Sequence, residues 1–191
     1  MTPRTCERVR SHRDQEASDL TLVSAAQAGD HHAFTALVQR HDIAMRRLAF
    51  RMLGNAHTMD DVLQEAYIKA FRALATFRDD AQFSSWLYRI TYNACIDEIR
   101  RAGRRPVPAI TPPGQESAGP GPERVVTVAD EVRTMLAALP VEQRAAVILV
   151  DGEGLDHRTA AQALGVAPGT IASRLSRARA SLRRSIEEVT E

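Results

Sequence analysis

Residues 157–184 read HRTAAQALGVAPGTIASRLSRARASLRR, and this stretch decides the fold of the C-terminal part of the chain. Its residues Ala161, Gly165 and Ile171 have the spacing of a helix-turn-helix. A small side chain at Ala161 lets two helices cross closely, and Gly165 can take a positive φ in the turn without steric cost. Ile171 then fastens the second helix to the first. The stretch therefore predicts two helices joined by a tight turn.

The second helix of this motif has two faces of different chemistry when successive residues are placed about 100° apart. The apolar face is predicted to pack on the core, and it consists of Ile171, Leu175, Ala178 and Leu182. The opposite face is polar and cationic, which suits a DNA major groove, because Arg reads guanine edges and Ser or Thr reaches bases or phosphates. Arg158, in the preceding helix, is placed to contact a backbone phosphate. The predicted duplex-binding residues are Arg158, Thr170, Ser173, Arg174, Arg177 and Arg184.

The distribution of charge supports a nucleic-acid surface more than the total charge does. The whole chain carries a formal net charge of only +1, yet residues 157–186 contain six arginines and no acidic residue. A basic stretch on a helix is typical of a surface that meets phosphates. The alternative is an ordinary helical hairpin whose arginines only face solvent.

The rest of the chain also has helical spacing of its apolar residues, and sustained strand-like alternation is nearly absent. Proline and glycine are concentrated in residues 105–124, a composition that cannot hold a helix and favours a flexible linker. We therefore predict an all-α protein of two small helical domains, 18–104 and 125–187. Residues 1–17 are predicted to be a disordered tail.

Capping and stop residues predict where the individual helices begin and end. In the first domain the third helix is expected to begin at Thr58 or Asp60, and Ser84 or Ser85 is expected to open the fourth. Four helices are predicted in the first domain. They span residues 18–29, residues 30–53, Thr58 or Asp60 to about residue 74, and residue 86 to about residue 101. Those of the second run over 125–138, 141–150, 158–164 and 168–186.

Several classes of protein are disfavoured by composition. No window approaches the roughly 20 apolar residues of a membrane helix, and no apolar run of the secretory type follows the first charged residues, so we expect a cytoplasmic protein. Cys6 and Cys95 form no disulfide framework or metal pair, and an inert buried thiol is more typical of Cys95 than a redox role. The spacing of the histidines matches no metal-ligand motif, so neither a metal nor another cofactor is expected. These histidines are His31, His32, His41 and His57.

The third helix carries an apolar side and a mixed outer side. Its predicted core side consists of Leu63, Ala66, Tyr67, Ala70, Phe71 and Leu74. Its outer side is partly acidic and contains one apolar residue, a mixture that favours a protein partner over DNA because acids repel phosphate. A plain solvated face is the alternative. The candidate partner-binding residues are Asp61, Gln64, Glu65, Ile68 and Arg72.

The fourth helix, WLYRITYNACIDEIRR, is apolar on two sides, so it is either deeply buried or shared between the core and a ligand. Arginines cluster at its C-terminal end, where they suit the helix dipole and can meet phosphates. Phe77, Phe83 and Trp86, close to Arg78, could form a platform for unstacked bases, although about two of these three rings are expected to be core. The candidate single-strand-binding residues are Arg78, Phe83, Trp86, Arg100 and Arg101. Arg89 and Asn93 lie on a further, polar stripe of the same helix.

Taken together, three runs resemble the extracytoplasmic-function sigma factors of the sigma-70 family. They read DDVLQEAYIKAFRAL, FRDDAQFSSWLYRITYNACIDEIRR and LPVEQRAAVILVDGEGLDHRTAAQALGVAPGTIASRLSRARASLRR. The resemblance covers roughly residues 19–104 and 128–186, in the family's order and with a linker between them. The first block is similar to sigma domain 2, and the second is similar to sigma domain 4.

The resemblance implies a function in transcription initiation. The outer side of the third helix would dock on the clamp helices of the RNA polymerase beta-prime subunit, and the beta flap would be a further contact on core polymerase. Residues 78–97 would recognise the minus-ten element as it melts and hold a flipped base, which adds Arg89 and Asn93 to the candidate single-strand-binding residues. The helix-turn-helix would read the minus-thirty-five element, and the linker would thread towards the polymerase active centre. An anti-sigma factor is expected as a partner, and a small-molecule substrate is not.

Two other classes of function stay open at this point. A conventional helix-turn-helix repressor or activator would use residues 19–104 for sensing or dimerisation, and would bind a symmetric operator without polymerase. The long linker and the lack of a ligand-pocket pattern count against it. An enzyme is disfavoured, because no acid, base or nucleophile set accompanies the histidines.

Overall fold

A computed structural model describes residues 18–78, 82–104 and 127–190, with side chains described up to residue 187. Within these ranges every regular element is a helix, and no strand is present. The predicted all-α class is therefore confirmed. The predicted tail 1–17 and the whole of the predicted linker 105–124 lie outside the described residues.

Residues 18–78 and 82–104 form four helices. The first, α1, spans residues 18–27. Next come α2, His31–Leu53, and α3, Ala56–Ala73, which a single 3-10 turn, Leu74–Thr76, continues. The last, α4, is Phe83–Arg104.

Capping explains most of these boundaries. The Asp30 carboxylate accepts hydrogen bonds from the backbone N–H groups of His32 and Ala33, and Gly54 ends α2 in the left-handed region at φ 73°, as predicted. The predicted start of α3 at Thr58 or Asp60 is wrong. The Asn55 side chain accepts from the Thr58 N–H at 2.9 Å, which places the cap three residues before Thr58. The fourth helix likewise begins earlier than expected, at Phe83.

The C-terminal half consists of shorter helices. α5 is Val128–Ala138, and α6 is Val141–Val147 followed by one π-helical turn, Ile148–Gly152. α7 is His157–Leu164 and α8 is Pro168–Thr190, with Pro168 in the first turn as predicted. The π turn replaces the straight end expected for the helix over 141–150. In that turn the Glu153 N–H donates to the Ile148 carbonyl oxygen at 2.9 Å.

The helix α4 lies at the centre of the molecule. It packs against α2 and α3 in its own half, and against α7 in the other. This contact explains why its sequence is apolar on two sides. Leu87, Tyr88 and Cys95 are all buried along it. The two halves consequently share one continuous apolar core in this structure.

Polar contacts also join the two halves. Arg144 of α6 donates to the carbonyl oxygen of Met52, in the last turn of α2, at 2.7 Å. The Glu153 carboxylate lies 3.4 Å from Arg47 and 3.3 Å from Arg51, both on α2. None of the helices in the described ranges is both long and apolar enough to cross a membrane.

Candidate nucleic-acid and protein interfaces

The helix-turn-helix predicted from the sequence is present in α7 and α8. The Asp156 carboxylate caps α7 by accepting from the Thr159 N–H at 2.8 Å. Gly165 ends it in the left-handed region, at φ 66° and ψ 37°, where a side chain would be strained. Ala161 and Ile171 are buried where the two helices meet. The three residues therefore have the packing and turn positions that their spacing predicted.

The two faces of α8 are also those predicted. Ile171, Leu175 and Ala178 are buried, and Leu182 is half-buried. On the opposite face Ser173, Arg177 and Arg184 are exposed, as is Arg158 on α7, whereas Thr170 and Arg174 are half-buried. The exposed arginines are thus available to phosphates or base edges, and their contact with DNA stays a prediction.

One arginine of α8 has a different environment from its neighbours. Arg179 makes two hydrogen bonds to the Asp151 carboxylate in the π turn, at 2.6 Å and 3.1 Å. The side-chain hydrogen bonds with Asp151 raise the pKa of Arg179 above its ordinary value. A bidentate pair of this kind neutralises the guanidinium locally. Arg179 is therefore less available to DNA than Arg177 on the same helix.

The predicted outer side of α3 is largely solvent-facing. Asp61, Gln64, Ile68 and Arg72 are exposed, and Ile68 retains 45% of its accessible surface. Glu65 is half-buried, because its carboxylate lies 2.9 Å from Lys69 and 3.3 Å from Arg101 of α4. The side-chain hydrogen bond with Lys69 contributes most to lowering the pKa of Glu65, and Arg101 adds to it. Glu65 and Arg101 therefore contact each other, although they were predicted to serve different partners.

Phe71 corrects the sequence interpretation of α3. It was expected on the core side, but 44% of its surface is exposed. Its ring packs instead on Phe34 and His31 of α2, with centroid separations of 5.1 Å and 5.5 Å. The apolar arc of α3 is wider than the surface that α2 and α4 cover, so Phe71 and Ile68 both line an open groove between α2 and α3.

An aromatic cluster lies where α4 begins. The ring centroids of Phe77, Phe83 and Trp86 are 5.2 to 5.8 Å apart, with tilted and edge-to-face geometries. Phe77 and Phe83 are buried and Trp86 is half-buried, in agreement with the expectation that two of the three rings are core. Phe83, a predicted base contact, is only 2% exposed and presents no stacking surface in this conformation. The half-buried Trp86 and the exposed Arg78 do present a stacking surface.

Two polar residues beside this cluster were not among the predicted site residues, although Ser85 was predicted as a possible helix cap. Gln82 Oε1 and Ser85 Oγ are buried, and they have no hydrogen-bond partner in the part of the chain that the structure describes. An unpartnered buried polar atom is costly unless a ligand or solvent satisfies it. The signal for them in the sequence is the polar setting of the aromatic residues in AQFSSW.

The remaining candidate residues lie along α4. Arg89, Asn93 and Arg100 are exposed, and Arg101 is held by Glu65 and Glu98. The Arg89 guanidinium lies beside the helix-turn-helix, since a Cβ added to Gly165 would come 3.6 Å from it. The structure therefore brings this predicted single-strand contact next to the duplex-binding motif.

Cys95 has the environment of an inert thiol. It is fully buried in α4, and burial raises the pKa of its thiol to about 12. A thiol that stays protonated at neutral pH is a poor nucleophile, which agrees with the structural interpretation of this residue. Cys6 lies outside the described residues.

Comparison with known proteins gives both halves a family. The model of sigma-70 region 2 matches residues 37–105, and the model of sigma-70 region 4 matches residues 129–182. The chain is 44% identical over 171 residues to the ECF RNA polymerase sigma factor SigM of Mycobacterium tuberculosis. The aligned region covers 88% of this chain and 85% of that relative.

Two solved structures have the same fold. One is CnrH in complex with the cytosolic domain of CnrY, with a TM-score of 0.70 and 28% identity over 90% of this chain and 98% of that one. The other is the sigma factor RpoE in complex with the anti-sigma factor NepR from Bartonella quintana. Its TM-score is 0.66, with 25% identity over 81% of this chain and 96% of that one.

Proposed function

The chain belongs to the extracytoplasmic-function sigma factors of the sigma-70 family, and from this premise we propose how its surfaces divide the work of promoter recognition. As a sigma factor it binds core RNA polymerase and directs promoter-specific initiation of transcription. We assign polymerase docking and the minus-ten element to a domain over residues 18–104. The minus-thirty-five element is assigned to a domain over 125–187, joined to the first by the linker 105–124.

Docking on the beta-prime clamp helices is assigned to the outer side of α3. Support comes from two exposed apolar residues, Ile68 and Phe71, that line the groove between α2 and α3. Asp61, Gln64 and Arg72 supply polar contacts around it. An exposed apolar patch with a polar rim is typical of a protein interface. Glu65 has a second role within the chain, because its ion pair with Arg101 joins α3 to α4, while its pair with Lys69 lies within α3.

Capture of a melted minus-ten base is assigned to the start of α4. Trp86 offers a partly exposed ring for stacking. Gln82 Oε1 and Ser85 Oγ have no partner in the described residues, but both atoms are buried and do not reach a base in this conformation. Phe83 supports the Trp86 ring from the core and does not contact the base. The backbone of the separated strand would be contacted by Arg78, Arg89, Asn93 and Arg100. Arg101 would add a further contact when its ion pairs with Glu65 and Glu98 open.

Recognition of the minus-thirty-five duplex is assigned to α8. The observation that carries the whole proposal is the exposed cationic face of this helix, which projects from a complete helix-turn-helix. Arg177 would read base edges in the major groove, and Arg158 would contact a phosphate. Thr170, Ser173, Arg174 and Arg184 complete this surface.

The mechanism requires no covalent step, and we propose that the chain is not an enzyme and acts in the cytoplasm. Domain 4 would bind intact duplex, and domain 2 would offset the few kcal/mol that unstacking a base costs by holding it. Because each half reads a short sequence, tethering both to polymerase raises the effective concentration of the second contact. The free protein is therefore expected to bind promoter DNA weakly.

An anti-sigma partner is proposed from the two structural relatives. RpoE is bound to the anti-sigma factor NepR, and CnrH is bound to the cytosolic domain of CnrY. A cleft between α4 and α6 in this chain has a mixed lining that could receive such a partner. Ile96, Ile99 and Val141 supply apolar surface, and Asn93, Asp97, Arg100 and Glu142 supply polar and charged groups.

Reconstituted transcription tests the proposal. Purified protein is added to core polymerase on genomic fragments, and RNA start sites are mapped. We expect new start sites only when protein and core are both present, with common sequences about 10 and 35 positions upstream. The proposal fails if core polymerase neither binds the protein nor starts RNA chains with it. Tight binding of the free protein to a symmetric site would instead support a conventional repressor or activator.

A further inference from the structure

The helix α1 makes contacts with the minus-ten site that the sequence did not indicate. It spans residues 18–27 and so precedes the region 2 match, which begins at residue 37. None of the predicted site residues lies on it. Its polar contacts nevertheless reach both ends of the segment that carries the aromatic cluster, through the part-buried hydrogen bonds of the exposed Gln27 at one end and the buried Asp19 at the other.

Gln27 holds the chain where it enters this segment. Its side-chain amide donates to the carbonyl oxygen of Leu74 at 2.9 Å and to that of Phe77 at 3.1 Å. These carbonyls flank the 3-10 turn that ends α3. Because one planar amide group bridges both oxygens, it fixes the path of the backbone into Phe77.

Asp19 acts at the other end through a histidine. Its carboxylate lies 2.8 Å from His41 Nε2 and accepts from Arg40 at 2.6 Å. Both Asp19 and His41 are buried, at 4% and 7% exposure. The paired imidazole ring packs on Phe83, with centroids 5.5 Å apart. The orientation of His41, and with it the place of Phe83, is therefore set by a residue of α1.

The two contacts converge on Trp86. Phe77 and Phe83 pack on each other and both pack on the Trp86 ring, at 5.2 Å and 5.5 Å. Apolar packing by the buried Val23 already attaches α1 to the core, so the polar contacts are not needed for attachment alone. A buried ionic group also adds little net stability compared with an apolar one, and a role in fixing one geometry is a better account of it.

We propose that Gln27 and Asp19 are positioning residues for capture of the minus-ten base, acting through Phe77 and Phe83 on Trp86. The inference rests on the proposed function of the Trp86 site. It assigns to α1 a part in promoter melting and base preference, without contact between α1 and DNA. Loss of the Gln27 bridge would let the Trp86 platform sample other positions, while the polymerase-binding and duplex-binding surfaces stay intact.

The test uses full-length protein in holoenzyme, on a promoter mapped with the wild type. Gln27→Met keeps a similar side-chain length and removes both donors, and Gln27→Lys restores donors that can reach the two carbonyls. Ser24→Ala is the matched control, because the Ser24 hydroxyl is exposed and bonds only within α1, to the Leu20 carbonyl. The measurements are the rate of open-complex formation and the preference among the four bases at each minus-ten position.

We expect Gln27→Met to slow opening by about tenfold, the order expected for loss of one to two hydrogen bonds. It should also flatten the base preference at one minus-ten position. Affinity for core polymerase and for minus-thirty-five duplex should stay at the wild-type level, and Gln27→Lys should recover part of both losses. A promoter with a preformed minus-ten bubble should reduce the defect in rate but leave the defect in base preference.

Two outcomes would overturn the inference. One is that Gln27→Met matches Ser24→Ala in opening rate and in base preference. The other is that every property, including core affinity and thermal stability, falls together while base preference is unchanged, since that is the result of a purely structural role. If Gln27→Met does not fold, two other variants decide the question. The inference predicts that Gln27→Lys keeps the wild-type base preference and that Asp19→Asn alters it. Failure of wild-type holoenzyme to open any promoter would instead refute the proposed function.

Discussion

The N-terminal and C-terminal halves of this protein contribute different side chains to their shared apolar core. Long and aromatic residues dominate the first, including Met45, Leu48, Met52, Phe77 and Phe83. Alanine is more frequent in the second, where it makes up six of the 14 buried apolar residues against five of 20 in the first, at positions 145, 146, 160, 161, 163 and 178. Small side chains let short helices approach closely, so that α8 is fixed along one side and presents the other to solvent. Large side chains build a wider core that can carry an open groove and an aromatic cluster.

The halves also differ in what polar groups they bury. Among the described residues, the buried polar side chains are Asp19, His41, Ser85 and Thr91, and all belong to the N-terminal half. Buried polar groups constrain geometry because each needs a partner in a defined direction. We conclude that the half proposed to hold an unstacked base is shaped by directional contacts, whereas the half proposed to read duplex is shaped by close packing.

The largest effect is expected from a cavity in the N-terminal core. Leu87 is fully buried at the centre of α4, so Leu87→Ala should lower the free energy of unfolding by about 3 kcal/mol. Leu182→Ala is the comparison in the C-terminal half, and should cost about 1 kcal/mol because Leu182 is only half-buried. Urea unfolding followed by circular dichroism measures both. Equal losses would contradict the greater burial of Leu87.

A smaller loss is expected from the buried polar pair. Asp19→Asn should lower the free energy of unfolding by about 2 kcal/mol at pH 7, because it leaves His41 and Arg40 without a charged partner. Asp60→Asn, at an exposed pair with Arg46, is the control and should change stability little.

The same pair predicts a dependence on pH. Burial acts to raise the pKa of Asp19, but hydrogen bonds and charges from His41 and Arg40 outweigh it, so the pKa lies below its ordinary value of 3.8. A carboxylate with a lowered folded pKa stabilises the fold above the unfolded pKa, and this contribution is lost as the pH falls through the folded pKa. The difference between wild type and Asp19→Asn should therefore be full at neutral pH and shrink below about pH 4. A difference that stays constant down to pH 3 would exclude the ionised pair as its source.

On the C-terminal side the expected effect is on binding. Arg177→Ala should weaken holoenzyme binding to minus-thirty-five duplex by about 1 to 3 kcal/mol, because an exposed arginine of α8 is lost. Arg179→Ala should weaken it less, since Arg179 is paired with Asp151. Fluorescence anisotropy over a range of salt concentrations measures both affinities. Similar losses for the two variants would show that the Asp151 pair opens to release Arg179 for DNA.

The smallest effect is expected where the halves meet. Burial raises the pKa of Glu153, and the attraction of Arg47 and Arg51 offsets this only in part. When folding raises the pKa of a carboxyl group, ionisation of that group destabilises the folded state. The free energy of unfolding therefore falls as the pH rises through the folded pKa. At pH 7, Glu153→Gln should therefore either raise the free energy of unfolding or lower it by less than about 1 kcal/mol. Thermal unfolding at pH 5 and pH 8 measures the change, and a clear loss at both values would show that the two ion pairs outweigh burial.

The sequence predicted the local features of both halves well. Asp30 and Gly54 bound α2 as expected, and Ala161, Gly165 and Ile171 have their predicted places in the helix-turn-helix. The errors lie at helix starts, where Asn55 displaced the expected cap, and at the π turn after α6. Periodicity also placed Phe71 on the core side of α3, because it reports the direction of a side chain and not how much of that side is covered.

By itself, the sequence determined the helical class, the helix-turn-helix and the separation of the α8 faces, since all three depend on neighbours within a few turns of one helix. Only the tertiary structure decided which candidate residues are accessible. It buried Phe83, exposed Phe71, paired Arg179 with Asp151, and placed Arg89 beside Gly165. It also brought Gln27 to the carbonyl of Phe77, 50 residues away in the chain. Such contacts depend on how whole helices pack, and no local pattern of residues specifies them.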